Sequence, residues 1–424
     1  MPWSRLKGRV HLTGVKNSPL VSIVVVDYNG HRFWPKLLCS LENQVFRDFE
    51  LIVVDNSGRL DPELVSGGLC SRIIKSPGNV GFAEGSNLGF KTAKGEYVCL
   101  LNNDTELEDQ WLGALFDCIV SSRDIGAVCS KVVYKQRFAR VEIESDTFRP
   151  IGDSRRLGVR IEFDGLGCFP FEGVEKNGLY STEKDGVHAW AWTNGKATLW
   201  LPCEGDRTVQ FSLSSATELH GSSVRLLWDC GEQSFVIENE ATVVSLEIPD
   251  DQQFDIVNNA GSYLDEAWRV KERGLFKKDC PELCQPIELE VASGCSILIR
   301  RSALLDVPFD AEFFAYFEDT DLSLNLKRGG WRLLYEPRSL VRHYGAATSG
   351  VQSPFQVFHS TRNRFWVIAK HAPWNVVWKT LSRELWELDR YEGWMNEEYS
   401  LSRLKWETWS GFLKRIWRRL CDSD

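Results

Sequence analysis

Apolar and polar positions follow two patterns along this chain. In the first, continuous β-branched runs stop at polar turns. Val21-Ser22-Ile23-Val24-Val25-Val26-Asp27 ends in Tyr28-Asn29-Gly30, and Phe49-Glu50-Leu51-Ile52-Val53-Val54-Asp55 in Asn56-Ser57. Glu96-Tyr97-Val98-Cys99-Leu100-Leu101 ends in Asn102-Asn103-Asp104. Such runs predict strands buried on both faces. Stretches of helical period lie between them, near 34–41 and 83–93. Strand, helix, strand, helix, strand predicts right-handed crossovers and a parallel sheet.

From about Val141 to Ile248 the pattern changes to short alternating runs broken by Gly, Asn and Asp, among them 197–201, 209–213, 224–228 and 242–246. This spacing predicts an antiparallel β-sandwich of roughly 100 residues. Buried strand and helix return after about residue 285, with Glu288 to Ile299 expected as one strand and Thr320 to Arg328 as a helix. The expected fold is α/β, with a mainly parallel sheet interrupted by an antiparallel β-sandwich insertion and followed by a C-terminal helical tail. The expected divisions are a nucleotide-binding half at 20–140, the insertion at 145–250, an acceptor and catalytic half at 255–350, and the tail at 351–424.

A length of 424 residues, 43% hydrophobic and 26% charged, excludes a disordered, collagen-like or coiled-coil chain and predicts two or three domains. With 50 Lys plus Arg against 59 Asp plus Glu, a nucleic-acid partner is not expected. The balance reverses in residues 351–424, which hold 12 basic and 9 acidic side chains and eight of the 17 tryptophans. The 12 cysteines form no C-x-x-C pair, as expected of core thiols in a reduced, cytoplasmic protein. No run of 18 apolar residues occurs, so no bilayer span is expected.

Asp27, Asp55 and Asp104 all stand at the carboxyl ends of predicted parallel strands, where ligands gather in open α/β sheets. Any one of them also suits a turn. The second half adds Phe317-Glu318-Asp319-Thr320-Asp321, Gly329-Gly330-Trp331 and Val341-Arg342-His343-Tyr344. Together with Asn79-Val80-Gly81-Phe82-Ala83-Glu84-Gly85-Ser86-Asn87, these segments resemble the family 2 inverting glycosyltransferases of the GT-A fold, in their rhamnosyltransferase-like branch. The resemblance covers about 20–140 and 255–370.

It implies a nonprocessive transfer from a nucleotide diphosphate sugar to a hydroxyl of a cell-surface glycan or lipid-linked saccharide. By resemblance, Asp104 and His343 hold a divalent cation, manganese or magnesium, and Asn102 stands where the family often has a first Asp. Asp319 matches the base, beside Glu318. Asp55 matches the residue on the nucleotide base or ribose, Tyr28 and Asn29 lie where the base is held, and Asn79, Gly81, Asn87, Asn102 and Asn103 complete the donor-binding set. No P-loop or G-x-G-x-x-G accompanies them. A different reading keeps Glu318, Asp319 and Asp321 as helix-capping acids.

Trp190, Trp192, Trp200 and Trp228 in the insertion suit a sandwich core or a sugar-stacking face. The insertion also resembles jelly-roll modules found beside other glycosyltransferases, so an inactive carbohydrate-binding protein is the alternative function. In the tail, Trp406, Trp409, Leu413, Ile416, Trp417 and Leu420 fall on one helical face among Arg and Lys. Residues 403–420 are therefore expected either to touch the inner face of the cell membrane peripherally or to pack on the rest of the chain.

Overall fold

The computed structural model describes residues 18–65, 68–162, 177–184, 189–203, 207–238, 241–345 and 353–421. The strands of its first half are β1 (Val21–Asp27), β2 (Phe49–Asp55), β3 (Cys70–Lys75), β4 (Tyr97–Asn102), β5 (Thr105–Leu107), β6 (Ile125–Tyr134) and β7 (Phe138–Ser145). Then come β8 (Arg160–Glu162), β9 (Asn177–Leu179), β10 (Glu183–Lys184), β11 (Ala189–Pro202), β12 (Thr208–Ser214), β13 (Ser223–Trp228), β14 (Gly231–Val236) and β15 (Thr242–Glu247). The chain closes its strands with β16 (Val257–Asn259), β17 (Ser262–Leu264), β18 (Val270–Glu272), β19 (Ile287–Glu288), β20 (Ser296–Arg300) and β21 (Arg332–His343). The helices are α1 (Trp34–Glu42), α2 (Pro62–Val65), α3 (Gly81–Thr92), α4 (Trp111–Val120), α5 (Glu318–Arg328), α6 (Pro354–His371), α7 (Trp374–Ser382) and α8 (Leu401–Cys421).

Strands β3, β2, β1 and β4 lie side by side and parallel. β20 enters antiparallel between β4 and β6, and β6 runs parallel to β21. The short strands β16, β19 and β5 pair antiparallel with them. The result is a ten-stranded mixed sheet with a mainly parallel core. Helices cover both faces, which explains the unbroken apolar runs. In β1, Val24 and Val26 pack with Ala83 and Phe90 of α3 and Leu322 and Leu326 of α5. Val21, Ile23 and Val25 face the other way, onto Trp34 and Leu37 of α1 and Trp111 and Leu115 of α4.

The second sheet is antiparallel, in the order β14-β13-β7-β11-β8-β12-β15, with β9 and β10 on β11. β11 pairs with β8 through Trp190–Trp192 and with β7 through Lys196–Pro202, and its register with β9 breaks between Thr193 and Thr198. Side chains from β7, β11 and β13 meet those of β8, β12 and β15 in one apolar cluster. The four tryptophans of this region are occupied by neighbours: Trp200 lies edge-on to Phe254 at 5.2 Å, Trp192 edge-on to Phe148 at 6.0 Å, Trp190 under Arg160, and Trp228 donates to Cys230.

One expected element divides. Glu288 to Ile299 is not a single strand: β19 ends at Glu288, β20 begins at Ser296, and the backbone between them turns aside to bond other partners. The Ala292 amide donates to Ser323 and the Gly294 amide to Asp319. The helix expected at Thr320 starts at Glu318, so both acids of the Glu318-Asp319 pair stand in its first turn.

The tail packs α6, α7, the 3-10 segment Glu384–Trp394 and α8 around Phe365, Ile368, Leu385, Leu388 and Phe412. Gly411 allows α8 to approach α6 closely, since a Cβ there would meet the Trp366 indole at 2.2 Å. Among the described residues no helix is long and apolar enough to cross a membrane.

Candidate functional site

Parallel register places the polar strand ends on one edge of the sheet: Asp27 pairs with Asp55, and Val26 with Asn102. Asp27 is fully buried, and its Oδ1 accepts from Trp34 Nε1 and Asn103 Nδ2, each at 2.8 Å. Asn103 is thereby fixed against the sheet. Asn102 continues the line, its amide donating to Cys295 O at 2.9 Å and its carbonyl accepting from Thr105 Oγ1. Asp55 receives Ser57 N, Ser57 Oγ and Gly58 N on Oδ1, at 3.1, 3.0 and 2.8 Å. It therefore closes a turn, as a strand-end Asp can, with all three donors on one oxygen. Tyr28, which follows Asp27 in the chain, is 39% exposed, and Asn29 takes φ +57°, a left-handed conformation that Asn tolerates.

Around the next loop, Asn79 Oδ1 accepts from the Gly81 amide at 3.1 Å and from Asn56 Nδ2 at 3.2 Å. Asn56, 2% exposed, also takes Val80 N on its Oδ1. Two of the residues expected at the donor also contact distant protein segments. Gly81, at φ +84°, makes room for Phe314, because a Cβ there would meet Phe314 Cδ2 and Phe314 O at 2.6 Å. Asn87 places both ends of its amide on the backbone of Phe309, donating to its carbonyl at 2.9 Å and accepting from its amide at 3.1 Å. Neither neighbour is near in sequence, so neither contact leaves a local signal.

Asp104 and His343 meet because β5 pairs antiparallel with the end of β21, with His343 opposite Thr105. His343 Nε2 lies 3.1 Å from Asp104 Oδ1, and Nδ1 lies 3.4 Å from Asn258 Oδ1. Burial pushes the Asp104 carboxyl up, but the His343 charge and hydrogen bond, with Arg32 adding, outweigh it and hold Asp104 below the usual carboxylate value. Burial lowers His343, whereas Asp104 and Glu272 raise it, leaving it above the usual value.

Asp319 closes the other side. Its Oδ2 accepts from Gly294 N at 2.9 Å and its Oδ1 from Thr320 N at 2.7 Å. Burial raises its pKa. Glu318, 7% exposed, is raised by burial and further by the negative charge of Asp319, and among the described residues its buried Oε2 has no hydrogen-bond partner. The segment 293–295 links the two halves, since Gly294 N bonds Asp319 while Cys295 O bonds Asn102 N. The Cys295 thiol, raised mainly by burial, is raised also by the charges of both Asp104 and Asp319. Glu272, absent from the expected set, is pushed up to about 7 by loss of solvation, with Asp319 adding and His343 opposing. It sits on β18, between no recognisable motif residues, and so carries no local signal.

Residues 22–171 match the family model described as Glycosyl transferase family 2. Over this segment the chain is similar to the family 2 glycosyltransferases. Among curated relatives, the N-acetylglucosaminyl-diphospho-decaprenol L-rhamnosyltransferase of Mycobacterium tuberculosis is 40% identical over 72 residues, 16% of this chain and 24% of that protein. An uncharacterized glycosyltransferase of Haemophilus influenzae is 26% identical over 122 residues, 27% of this chain and 38% of that protein. The chain thus spans well under half the length of these curated relatives. Among solved structures, GalNAc-T7 with UDP, GalNAc and Mn2+ is 14% identical with a TM-score of 0.45, over 96% of this chain and 58% of that one.

Proposed function

We propose that the chain is a metal-dependent, inverting, nonprocessive glycosyltransferase that moves a sugar from a nucleotide diphosphate sugar to a hydroxyl of a saccharide or lipid-linked saccharide acceptor of the cell surface. The observation that carries this reading is the convergence of two charged pairs on one sheet edge, Asp104 with His343 and Glu318 with Asp319, linked through 293–295. The mycobacterial relative's name includes a lipid-linked sugar, which supports that acceptor class.

Among the described residues no group of three His, Cys, Asp or Glu could hold a metal. Asp104 and His343 nonetheless fit a cation completed by substrate: one carboxylate and one imidazole 3.1 Å apart, the ring backed by an amide oxygen that fixes its orientation. A divalent cation there would offset the charge developing on a diphosphate leaving group. Nitrogen in the set favours manganese over magnesium.

The chain's own residues supply the rest. Asp55 and the loop 79–81 lie where the nucleotide is held, with Tyr28 and Asn29 beside them. Asp319 takes the proton of the acceptor hydroxyl as that oxygen attacks the anomeric carbon. The Gly294 and Thr320 amides hold its carboxylate in place. Glu318, whose Oε2 has no hydrogen-bond partner among the described residues, orients a sugar hydroxyl. The four divisions 20–140, 145–250, 255–350 and 351–424, a sandwich in the second of them, and a cytoplasmic location at the inner face of the membrane belong to the same proposal.

The test is a panel of nucleotide diphosphate sugars screened by thermal shift with and without manganese, followed by donor hydrolysis. A ligand that binds only the native state raises its melting temperature by mass action. One donor class should do so only with metal, and Asp104→Ala and His343→Ala should each remove the metal-dependent part. Full turnover in excess chelator would take the metal out of the mechanism, and a chain that no donor stabilises would not be a transferase.

A further inference from the structure

The turn that delivers Glu318 and Asp319 has an unusual backbone. Phe314 takes φ +67° and ψ −64°, and the Ala315 amide bonds Phe313 O at 2.8 Å, a γ-turn of the rare, strained hand. Tyr316 follows at φ +67° and Phe317 at φ +68°. Three bulky residues of four at positive φ persist only where their surroundings over-determine them. The flipped peptides also leave inward-facing carbonyls, and a buried carbonyl without a donor is costly.

One side chain from the tail meets that need. Asn363 of α6 is fully buried, and its Nδ2 lies 2.9 Å from Phe313 O, 2.8 Å from Ala315 O and 2.7 Å from Tyr316 O. Arg362 donates from Nη2 to Phe313 O at 3.0 Å and from Nε to Asn363 Oδ1 at 3.0 Å, which fixes the amide with its NH2 toward the turn. The Arg362 charge is met by Glu407 of α8 at 2.5 Å. From the other side, Phe314 O accepts from the amides of Phe82, at 2.6 Å, and Ala83, at 3.2 Å. The turn is therefore strung between α6 and the first turn of α3.

We propose that Asn363, oriented by Arg362, is a positioning residue that holds the strained turn 313–317 and so aims Glu318 and Asp319 at the ends of β4 and β21. The catalytic site is then incomplete without the C-terminal helices, which lie beyond the segment matched to the family model. This rests on the proposed role of Asp319 as base.

The test uses the full chain and its Asn363→Ala and Arg362→Lys variants. Arg362→Lys keeps the charge for Glu407 and removes the bond that orients Asn363, so it serves if Asn363→Ala does not fold. Hydrogen exchange read by mass spectrometry should show faster exchange in peptides covering 311–322 and 81–84, with β1, β2 and β4 unchanged. With a donor that the parent turns over, kcat should fall about 10- to 100-fold while the donor KM stays within about threefold, the scale of a small misplacement of a reacting group. The acid limb of the pH profile should move to lower pH as Glu318 and Asp319 regain water. Unchanged exchange at 311–322, turnover within twofold of the parent, or unfolding of both variants would overturn the proposal. If the parent turns over no donor, exchange alone decides the positioning role, and the failure belongs to the transferase reading.

Discussion

At the scale of single residues, the site depends on carboxylates given different surroundings. Asp104 has a cationic partner and is held ionised, whereas Glu318 and Asp319 share a dry corner and are both raised. Neighbouring acids with separated environments are how one site houses a charge-holding and a proton-taking carboxylate. Asp319→Asn removes the proton acceptor at almost constant volume, and turnover should fall roughly 100-fold or more. Because both carboxylate oxygens accept backbone amides, the new NH2 must face one of those donors. The melting temperature is therefore measured alongside, and donor affinity should stay within a few-fold. Turnover near the parent's would rule Asp319 out as the base.

At the scale of elements, α5 is tied to α6 by a buried ionic contact. Asp321, 1% exposed, lies 2.7 Å from Lys370 Nζ and 2.6 Å from His371 Nε2. Burial raises Asp321, but the His371 hydrogen bond and the Lys370 charge bring it below the usual value. His371 is lowered, chiefly by burial, against the opposing pull of Asp321. Its Nδ1 has no partner among the described residues, consistent with a neutral ring donating from Nε2. A histidine kept neutral in the fold but protonated when unfolded makes the unfolded chain bind more protons, so stability falls as pH drops below about 6.5, by at most ~1.4 kcal/mol per pH unit. The depressed Asp321 adds a loss of the same sign only below about pH 4. His371→Gln can keep a hydrogen bond to Asp321 without titrating. Urea unfolding at pH 7.5 and 5.5 should show a smaller acid loss in this variant than in the parent. An identical loss would mean that His371 is not a source of the pH dependence.

At the scale of the whole molecule, α8 has two apolar faces. Leu404, Thr408, Gly411, Phe412 and Arg415 are buried, and Arg415 lies over the Trp366 ring at 4.0 Å. On the opposite side, within about 60° of arc, Trp406, Leu413, Trp417 and Leu420 stand 74%, 51%, 69% and 51% exposed. Of the face expected from the sequence, Trp409 and Ile416 pack against the tail's core and the other four do not. Packing and an outward apolar stripe are thus both present, on different residues. Tryptophan beside exposed Arg418, Lys414 and Arg403 suits an anionic headgroup layer. The full chain should co-sediment with anionic vesicles in a salt-sensitive way, and a Trp406→Ser, Trp417→Ser double variant should bind less. Equal binding by both would refute the contact, and dimerisation lost in the double variant would assign the stripe to a second copy.

Some of this was legible in the chain and some was not. The β-branched runs, their polar stops and the helical periods specify local structure, because strand burial and helical packing leave period and composition signals within a few residues. Asp55 and Asp104 stood out as polar stops of such runs, whereas Asp319 and His343 were singled out by the resemblance of the segments around them. The divided strand 288–299, the use of Gly81 for Phe314, the use of Asn87 for Phe309, and the roles of Gly294 and Asn363 were not legible. Each depends on a partner set by long-range packing, such as Phe314, 233 positions after Gly81. The backbone donors and acceptors of a strained turn have no pattern of their own in sequence, and only the folded chain decides which side chain satisfies them.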